Sequence, residues 1–214
     1  MISDAIDAMD DPTIERELKY MLDADAFDDI LAWGRAQGQE LRAVTQVNVY
    51  FDTPTRGLNA EGIMLRVRRK DGLYTLTLKI RTSEGTAEQT SIEVDEVLSD
   101  SDGVAVISAP ELPELGPLVP LALLARERET RGLPPGPLVR QGTLTTHRTV
   151  IDGPAGLRLE LDRSEFAGGE DFELECETDD LKAAQAVLTP WLDGLGVLYA
   201  PSAAPKVGRL FARL

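Results

Sequence analysis

Cysteine and histidine are almost missing from this 214-residue sequence, which has one residue of each type. Cys176 has no partner for an internal disulfide, which agrees with the reducing cytoplasm where we expect the protein. A zinc site of Cys and His ligands is excluded, and histidine-based nucleophilic catalysis would depend on His147 alone. Cys176 falls on the apolar face of its predicted strand, so we interpret it as a core residue. His147 is predicted to be a surface or packing residue.

Long hydrophobic runs and basic residues are also scarce. Apolar runs such as residues 121–125 are far shorter than the ~20 residues that span a bilayer. The acidic residues 1–7 lack the basic and then apolar build of a signal peptide. The chain has 37 acidic and 22 basic residues, and therefore a net charge of -15. Such a surface repels nucleic acid and anionic lipid, so we expect neither nucleic acid nor a membrane as a partner.

The remaining composition is that of an ordinary globular protein, with 43% hydrophobic residues and a mean hydropathy of -0.15. A chain of this length suits one generous domain or two small ones, and strand signals of the same kind continue on both sides of residues 99–137. Residues 1–12 are acidic and end in Asp-Pro, which predicts a loose leader. We therefore predict a single domain over residues 13–214.

Residues 14–20 predict a strand with two chemically different faces, because successive side chains alternate across a strand. The apolar face holds Ile14, Leu18 and Tyr20, and the charged face holds Glu15, Glu17 and Lys19. Charged residues are depleted in strands, so the plain interpretation is an edge strand with a solvated outer face. The recurrence of this alternation along the chain favours a more specific arrangement.

Further strands are predicted over residues 41–51, 90–97, 139–151, 157–163 and 172–178, with a hairpin around Asp71-Gly72. Apolar residues at helical spacing predict helices over residues 25–35 and 121–131. Asp179 or Asp180 is expected to cap another helix. The Ser-Asp-Ser-Asp-Gly sequence at 99–103 is predicted to be a turn.

Ionised side chains dominate the strand faces that lie opposite the aliphatic ones. These faces carry Glu15, Glu17, Lys19, Arg66, Arg68, Lys79, Glu93, Asp95, Arg148, Arg158, Glu160, Asp162, Glu173, Glu175 and Glu177. The wet side of a half-solvated sheet normally carries Thr, Ser and mixed polar residues instead. A closed antiparallel barrel would turn the charged face into a lumen and pack the apolar faces outward against helices. We therefore predict an α+β fold of this type.

A lumen with charges of both signs would suit a polyphosphate bound together with divalent metal ions. Glutamates bind Mg²⁺ or Mn²⁺ through oxygen, arginines form forked bonds to phosphate oxygens, and lysines act as point charges. The spacing alone leaves two other interpretations open. One is a plain charged sheet surface, and the other is a lumen whose salt bridges serve only as a scaffold.

Six blocks of the sequence, in order, resemble motifs of the CYTH, or triphosphate tunnel metalloenzyme, superfamily. They are Glu15-x-Glu17-x-Lys19, residues 50–54 (Tyr-Phe-Asp-Thr-Pro) with 65–68 (Leu-Arg-Val-Arg), residues 76–79, residues 159–162, residues 172–178, and Pro205-Lys206-x-x-Arg209. Two positions depart from the usual pattern. Ser91 stands where an arginine is frequent, and Ala204-Pro205 precedes the lysine where a serine is usual.

The resemblance implies an eight-stranded antiparallel tunnel that binds a triphosphate and hydrolyses it with Mg²⁺ or Mn²⁺. It assigns the metal to Glu15, Glu17, Glu175 and Glu177, with Glu173 and Asp162 nearby. It assigns the triphosphate to Lys19, Arg66, Arg68, Lys79, Arg148, Lys206 and Arg209. Either a second metal or a carboxylate such as Glu93 or Asp162 would activate the attacking water. Arg66, Arg68 and Lys79 would neutralise charge on the phosphate oxygens.

The expected activity is therefore hydrolysis of inorganic tripolyphosphate or of a related triphosphate such as thiamine triphosphate. Two alternatives stay open: a class IV-type adenylyl cyclase, which would need a pocket for adenine, and a non-catalytic polyphosphate-binding module. A small triphosphate is the expected partner, and the protein is expected to be a monomer or a homodimer.

Overall fold

The computed structural model describes residues 13–84, 87–166, 168–202 and 204–214. Its strands are β1 (Thr13–Leu22), β2 (Ala43–Asp52), β3 (Ile63–Lys70), β4 (Leu73–Glu84), β5 (Glu88–Leu98), β6 (Val139–Asp152), β7 (Arg158–Phe166), β8 (Gly169–Glu177) and β9 (Tyr199–Pro201). They follow the order β5-β4-β3-β2-β6-β7-β8-β1, and β5 pairs with β1 to close the ring. The predicted eight-stranded antiparallel barrel is confirmed. The short β9 pairs with the end of β1, and the predicted leader lies outside the described residues.

Six α-helices accompany the barrel within the described ranges. They are α1 (Ala24–Ala36), α2 (Gly57–Ala60), α3 (Asp100–Ser108), α4 (Val119–Thr130), α5 (Leu181–Leu195) and α6 (Lys206–Phe211). The predicted helices correspond to α1, α4 and α5. The Asp180 side chain caps α5 by accepting a hydrogen bond from the backbone N–H of Ala183 at 2.9 Å. In the part of the chain that is described, no helix combines the length and the apolar character that a bilayer crossing needs.

Most of the apolar wall faces outward and is covered by helices. Leu18, Leu161 and Leu174 of the wall pack with Ile30 of α1 and Leu188 of α5, and all five side chains are fully buried. A second cluster joins β2, β3, β4 and β5 to α3 and α4. Burial of such side chains contributes about 1.5–3 kcal/mol each to folding, so the helices stabilise the barrel from outside. The predicted core position of Cys176 is confirmed by its complete burial.

A third, smaller apolar cluster lies inside one end of the barrel. Its members are Tyr50, Leu144, Phe166, Val207, Leu210 and Phe211, with Met64 packed against them. Tyr50 pairs with Arg66 across the sheet, and Arg66 lines the lumen, so Tyr50 is on the lumen side of the wall. Val207 and Leu210 lie within α6, and Phe211 is its last residue. The prediction that all apolar faces turn outward was therefore incomplete, because α6 closes one mouth with apolar contacts.

The segment 99–103, predicted to be a turn, is instead the start of α3. Ser99 accepts a hydrogen bond from the backbone N–H of Asp102 at 3.1 Å and thereby caps the helix. Ser and Asp are favoured both in turns and at helix N-termini, so composition alone does not distinguish the two. Gly103 lets α3 approach the wall closely, because a Cβ there would lie 2.1 Å from Cγ of Tyr74. The sequence prediction also omitted α2, β9 and α6.

The hairpin predicted at Asp71-Gly72 joins β3 to β4. Both residues have positive φ, 51° for Asp71 and 83° for Gly72. A two-residue turn of this kind matches the twist of the flanking strands. The hairpin fixes the register that places Arg66 opposite Thr77 and Met64 opposite Lys79.

Candidate active site

The lumen encloses a cavity with about 900 Å³ of empty space, part of it open to solvent. Among the described residues, seven basic and five acidic side chains line it. The basic ones are Lys19, Arg66, Arg68, Lys79, Arg81, Arg148 and Lys206, and the acidic ones are Glu15, Glu17, Glu93, Asp162 and Glu175. The cavity lining thus carries an excess of positive charge in a chain whose net charge is -15. Such an arrangement concentrates an anionic ligand locally.

Lys19 of β1 contacts one carboxylate of its own strand and one of the neighbouring strand β8. Its ammonium lies 2.9 Å from Oε1 of Glu175 and 3.1 Å from Oε2 of Glu17. The antiparallel register places Lys19 directly opposite Glu175. Burial by itself would lower the pKa of Lys19, but the charges of Glu17 and Glu175 raise it well above its usual value. Lys19 is therefore a permanent cation in the cavity.

Lys79 of β4 is surrounded by three carboxylates. Its ammonium forms an ion pair with Glu15 and lies 3.1 Å from Glu17 and 3.4 Å from Glu93. Burial raises the pKa of Glu15, and the like charges of Glu17 and Glu93 raise it further despite the attraction of Lys79. Ser91, which stands at the departure from the family pattern, donates a hydrogen bond to Glu15 at 3.3 Å. Lys79 thus contacts three carboxylates at this point of the wall, two of which also contact another cation.

Arg148 of β6 connects the acidic residues of β7 and β8. It donates to both carboxylate oxygens of Asp162, at 2.7 and 2.6 Å, and to Glu175 at 2.7 Å. It also forms an ion pair with Glu160. Burial opposes the charge on Arg148, but these carboxylates outweigh burial and raise its pKa well above the usual value. The positive charge of Arg148 is therefore compensated by carboxylates of the protein itself.

Lys206 of α6 enters the cavity from the closed end. Its ammonium lies 2.6 Å from Asp162, 2.8 Å from Glu173 and 2.5 Å from Glu175. Asp162 is completely buried. The contacts explain why α6, although only six residues long, stays at the barrel mouth.

Arg66 and Arg68 of β3 differ in how far carboxylates compensate their charge. Arg66 is 3.4 Å from Glu93, and its buried Nε has no hydrogen-bond partner among the described residues. Arg68 donates through Nε to the neutral amide oxygen of Asn48 at 2.9 Å. Burial, together with the nearby charges of Arg66 and Arg148, lowers the pKa of Arg68 to about 10. The two arginines therefore form a buried surface that favours an anion.

Three residues predicted for the site do not line the cavity in the structure. Glu173 is buried beside it, where it accepts hydrogen bonds from Ser202 at 2.8 Å and from Arg209 at 3.0 Å. Burial opposes ionisation of Glu173, but Lys206 and other cations lower its pKa to about 2. Glu177 of β8 lies opposite Glu17 of β1 and is exposed. Arg209 contacts Asp171 and Glu173 rather than the lumen. Their predicted roles in metal or phosphate binding stay predictions.

The sequence analysis omitted several residues that line the cavity. They are Gln46, Asn48, Tyr50, Met64, Arg81, Gln89, Thr90 and Thr146, with Gly62, Pro205 and Val207. Arg81 follows Lys79 by two positions and lies opposite Ser91 in the strand pair. The period of two along β4 was therefore a signal for Arg81 that the analysis did not use. The neutral residues gave no such signal, because their types are common on any sheet.

The acidic residues fit a divalent cation by their chemistry. Within the described ranges, no three His, Cys, Asp or Glu side chains are gathered into a ready metal cage. Lys79 contacts Glu15, Glu17 and Glu93, while Lys19 also contacts Glu17 and Arg66 also contacts Glu93. Burial, and then the like charges of Glu17 and Glu93, keep the pKa of Glu15 raised despite the attraction of Lys79. Carboxylate oxygens are the ligands that Mg²⁺ and Mn²⁺ take, so the donor set is suitable for either ion.

This barrel and its charged lumen are those of a known class of protein. The chain belongs to the CYTH domain family, whose model matches residues 13–199. Among curated proteins it is 33% identical over 167 residues to YjbK of Bacillus subtilis (strain 168), which bears the provisional name of triphosphatase. That match covers 78% of each chain.

Solved structures show the same architecture. HpAC1 from Hippeastrum, a suggested adenylyl cyclase described as having a dominant triphosphatase activity, is 25% identical with a TM-score of 0.75. The match covers 92% of this chain and 95% of HpAC1. A Bacillus halodurans protein described as a candidate adenylate cyclase is 23% identical, with a TM-score of 0.69 over 91% of this chain and 96% of its own. At that identity the likeness supports the fold alone.

Proposed function

We propose that this protein is a metal-dependent triphosphatase that hydrolyses inorganic tripolyphosphate inside its barrel. Membership of the CYTH family supports the proposal, as do the names of YjbK and HpAC1, which refer to triphosphatase activity. These relatives support the broader class of hydrolases that act on phosphoric anhydride bonds. The choice of substrate and metal is an inference from the lining of the cavity.

The observation that carries the proposal is the under-compensated charge of Arg68 on β3, beside Arg66. The buried Nε of Arg66 has no partner among the described residues, and Arg68 is bonded to a neutral amide. A buried cation without a carboxylate costs free energy, which an anionic ligand would recover. A polyphosphate provides several negative oxygens in the geometry that guanidinium groups bind well.

An inorganic substrate is favoured over a nucleotide or a thiamine compound by the lack of a stacking surface. Tyr50 is the single aromatic side chain among the described residues that line the cavity. It is 3% exposed and is packed in the apolar cluster with α6. A base or thiazolium ring normally binds against an accessible aromatic or apolar surface. The other apolar side chains of the lining, Met64, Pro205 and Val207, are not aromatic, and the remaining large side chains are charged or hydrogen-bonding.

We assign the two kinds of charge to two tasks. Glu15 and Glu17, with Glu175 and Glu177 as the further predicted ligands, would hold the divalent cation. When bound, that cation would neutralise the phosphate oxygens and help to align the attacking water. Arg66, Arg68, Lys79, Lys19, Arg148 and Lys206 would hold the phosphates in place.

Glu93 is the better placed of the two predicted water-activating carboxylates. Both oxygens of Asp162 are occupied by Arg148, and Lys206 adds a third contact. Glu93 makes longer contacts, 3.4 Å to Arg66 and 3.4 Å to Lys79. A phosphate that attracts these cations would leave Glu93 free to accept a proton from water.

The test is phosphate release from tripolyphosphate by the purified protein, with Mg²⁺ and with Mn²⁺, compared with cyclic nucleotide formation from ATP. Glu17→Gln and Lys19→Ala are expected to reduce turnover about 100-fold or more, as loss of electrostatic stabilisation does. Glu165→Gln, on the outer wall beside His147, is the matched control and should keep the wild-type rate. Wild-type turnover in both lumen variants would contradict the site. Cyclic product without phosphate release would favour the cyclase.

A further inference from the structure

Helix α6 brings a cation into the cavity but is too short to hold its place alone. It has six residues, and isolated helices below about 12 residues are marginal in water. Its apolar side chains Val207, Leu210 and Phe211 are buried against the lumen-facing cluster at the closed mouth. The ion pairs of Lys206 stabilise one end of the helix. The other end needs its own attachment to the wall.

Arg56 provides this attachment from the loop after β2. Its Nη1 donates to the backbone carbonyl of Phe211, the last residue of α6, at 2.7 Å. Its guanidinium also lies 4.8 Å from the centroid of the Phe211 ring. On the other side, Nε of Arg56 donates to Gln141 at 3.1 Å, and Gln141 donates to the carbonyl of Thr53 at 2.9 Å. A single side chain thus connects the β2 loop, β6 and α6.

The loop that carries Arg56 is built around the buried carboxylate of Asp52. That carboxylate accepts hydrogen bonds from the backbone N–H groups of Thr53, Leu58 and Asn59, at 2.6, 2.9 and 2.9 Å. This is the Phe-Asp-Thr-Pro block that the sequence analysis singled out without a role. The hydrogen bonds of Asp52 fix the conformation of this loop, and the loop therefore holds Arg56 at a fixed position.

Arg56 itself has a left-handed backbone, with φ 60° and ψ 36°. Such a conformation costs a residue with a Cβ about 1 kcal/mol or more, whereas glycine adopts it freely. The side chain of Arg56 makes contacts that oppose this backbone cost. The contacts that it makes are those with Gln141 and Phe211.

We propose that Arg56 is a positioning residue, which fixes α6 so that Lys206 stays among the carboxylates of the cavity. The effect on catalysis rests on the proposed function, whereas the attachment of α6 does not. Arg213, which stacks 4.1 Å from Phe166 and donates to Asp171 at 2.6 Å, secures the chain just beyond α6. Loss of Arg56 is therefore expected to loosen α6 rather than release it.

The attachment is tested by hydrogen exchange of residues 206–214 without substrate. Arg56→Ala keeps a Cβ, so the backbone strain is unchanged and only the guanidinium is lost. Exchange in this segment should accelerate about tenfold, the loss of one charge-assisted hydrogen bond. Phe211→Leu, which removes the ring, should give a smaller acceleration in the same segment and serves as a second variant. Arg128→Ala is the matched control, because Arg128 also donates to backbone carbonyls, but to those of Pro134 and Gly136 rather than to one in α6.

The role in the reaction is tested by kinetics with tripolyphosphate in a double-mutant cycle. If Arg56 acts through Lys206, Arg56→Ala should raise KM about fivefold to tenfold, with kcat changed by less than about threefold. In a Lys206→Ala background the same change should have almost no further effect. Additive losses, or unchanged exchange in residues 206–214, would overturn the proposal. Absence of hydrolysis by the wild type would instead refute the proposed function, and the exchange result would still decide the attachment.

Discussion

Arg68 and Arg148 line the same cavity, and neutralising each of them should change the stability of the free protein in opposite directions. Arg148 contacts Asp162, Glu175 and Glu160, and these carboxylates hold its pKa well above the usual value. Arg68 is bonded to the amide of Asn48, and its pKa is lowered to about 10. We therefore expect Arg68→Gln to stabilise the free protein and Arg148→Gln to destabilise it.

The magnitudes follow from the pKa of Arg68 and from the ion pairs of Arg148. A pKa lowered from its usual value to about 10 corresponds to an unfavourable term of about 3 kcal/mol for the charged form. Arg68 is partly reached by solvent, so a gain of about 1–2 kcal/mol is expected from Arg68→Gln. Breaking the buried pairs of Arg148 leaves carboxylates uncompensated and should cost about 3–5 kcal/mol.

Thermal unfolding of the two variants without ligand measures the effect. At about 2–4 °C per kcal/mol for a chain of this size, Tm should rise by about 2–8 °C in Arg68→Gln and fall by about 6–20 °C in Arg148→Gln. Added tripolyphosphate should raise Tm of the wild type and have a clearly smaller effect on Arg68→Gln. A fall of Tm in both variants would refute the view that β3 carries uncompensated charge.

Two further predictions concern the stability of the protein without ligand. Glu173 has its pKa lowered to about 2, because Lys206 and other cations outweigh its burial. Ionised Glu173 contributes up to about 3 kcal/mol to the free energy of unfolding above its unfolded pKa, and this contribution is lost as pH falls from about 4.5 towards 2. Denaturant unfolding across this range should therefore show a smaller loss of stability with falling pH in Glu173→Gln than in the wild type. Equal pH dependence in the two proteins would contradict the assignment. Gly103→Ala should destabilise the protein by about 1–3 kcal/mol, because its Cβ would lie 2.1 Å from Cγ of Tyr74. Gly116→Ala, with nothing within 4 Å of the added Cβ, is the control in the same thermal melts, and equal Tm values would contradict the close approach.

The alternation of charged and apolar residues along β1 was enough to predict which side chains of that strand enter the lumen. Glu15, Glu17 and Lys19 all line the cavity, and Leu18 and Tyr20 are buried on the other side of the wall. The same reasoning placed Arg66 and Arg68 correctly, since the period of two is a property of any extended chain. Closure of the sheet was inferred from the ionised character of these strand faces, and the pairing of β5 with β1 confirms it.

The end of the chain shows where this reasoning stops. Lys206 was predicted from a motif, but nothing in residues 206–211 indicates that α6 inserts Val207, Leu210 and Phe211 into the barrel mouth. Apolar residues at this spacing would be equally suited to the outer surface. The attachment by Arg56 is a contact between residues 155 positions apart, which no local pattern contains.

The sequence by itself determined the two faces of the wall, the excess of acid over base, and the residue types that meet inside the barrel. These follow from strand geometry and side-chain chemistry, which act over a few neighbouring residues. Only the tertiary structure decided which cation is compensated by carboxylates and which has a neutral amide as its partner. That difference between Arg148 and Arg68 depends on strand register and on the docking of α6, both of which are set by contacts between distant parts of the chain.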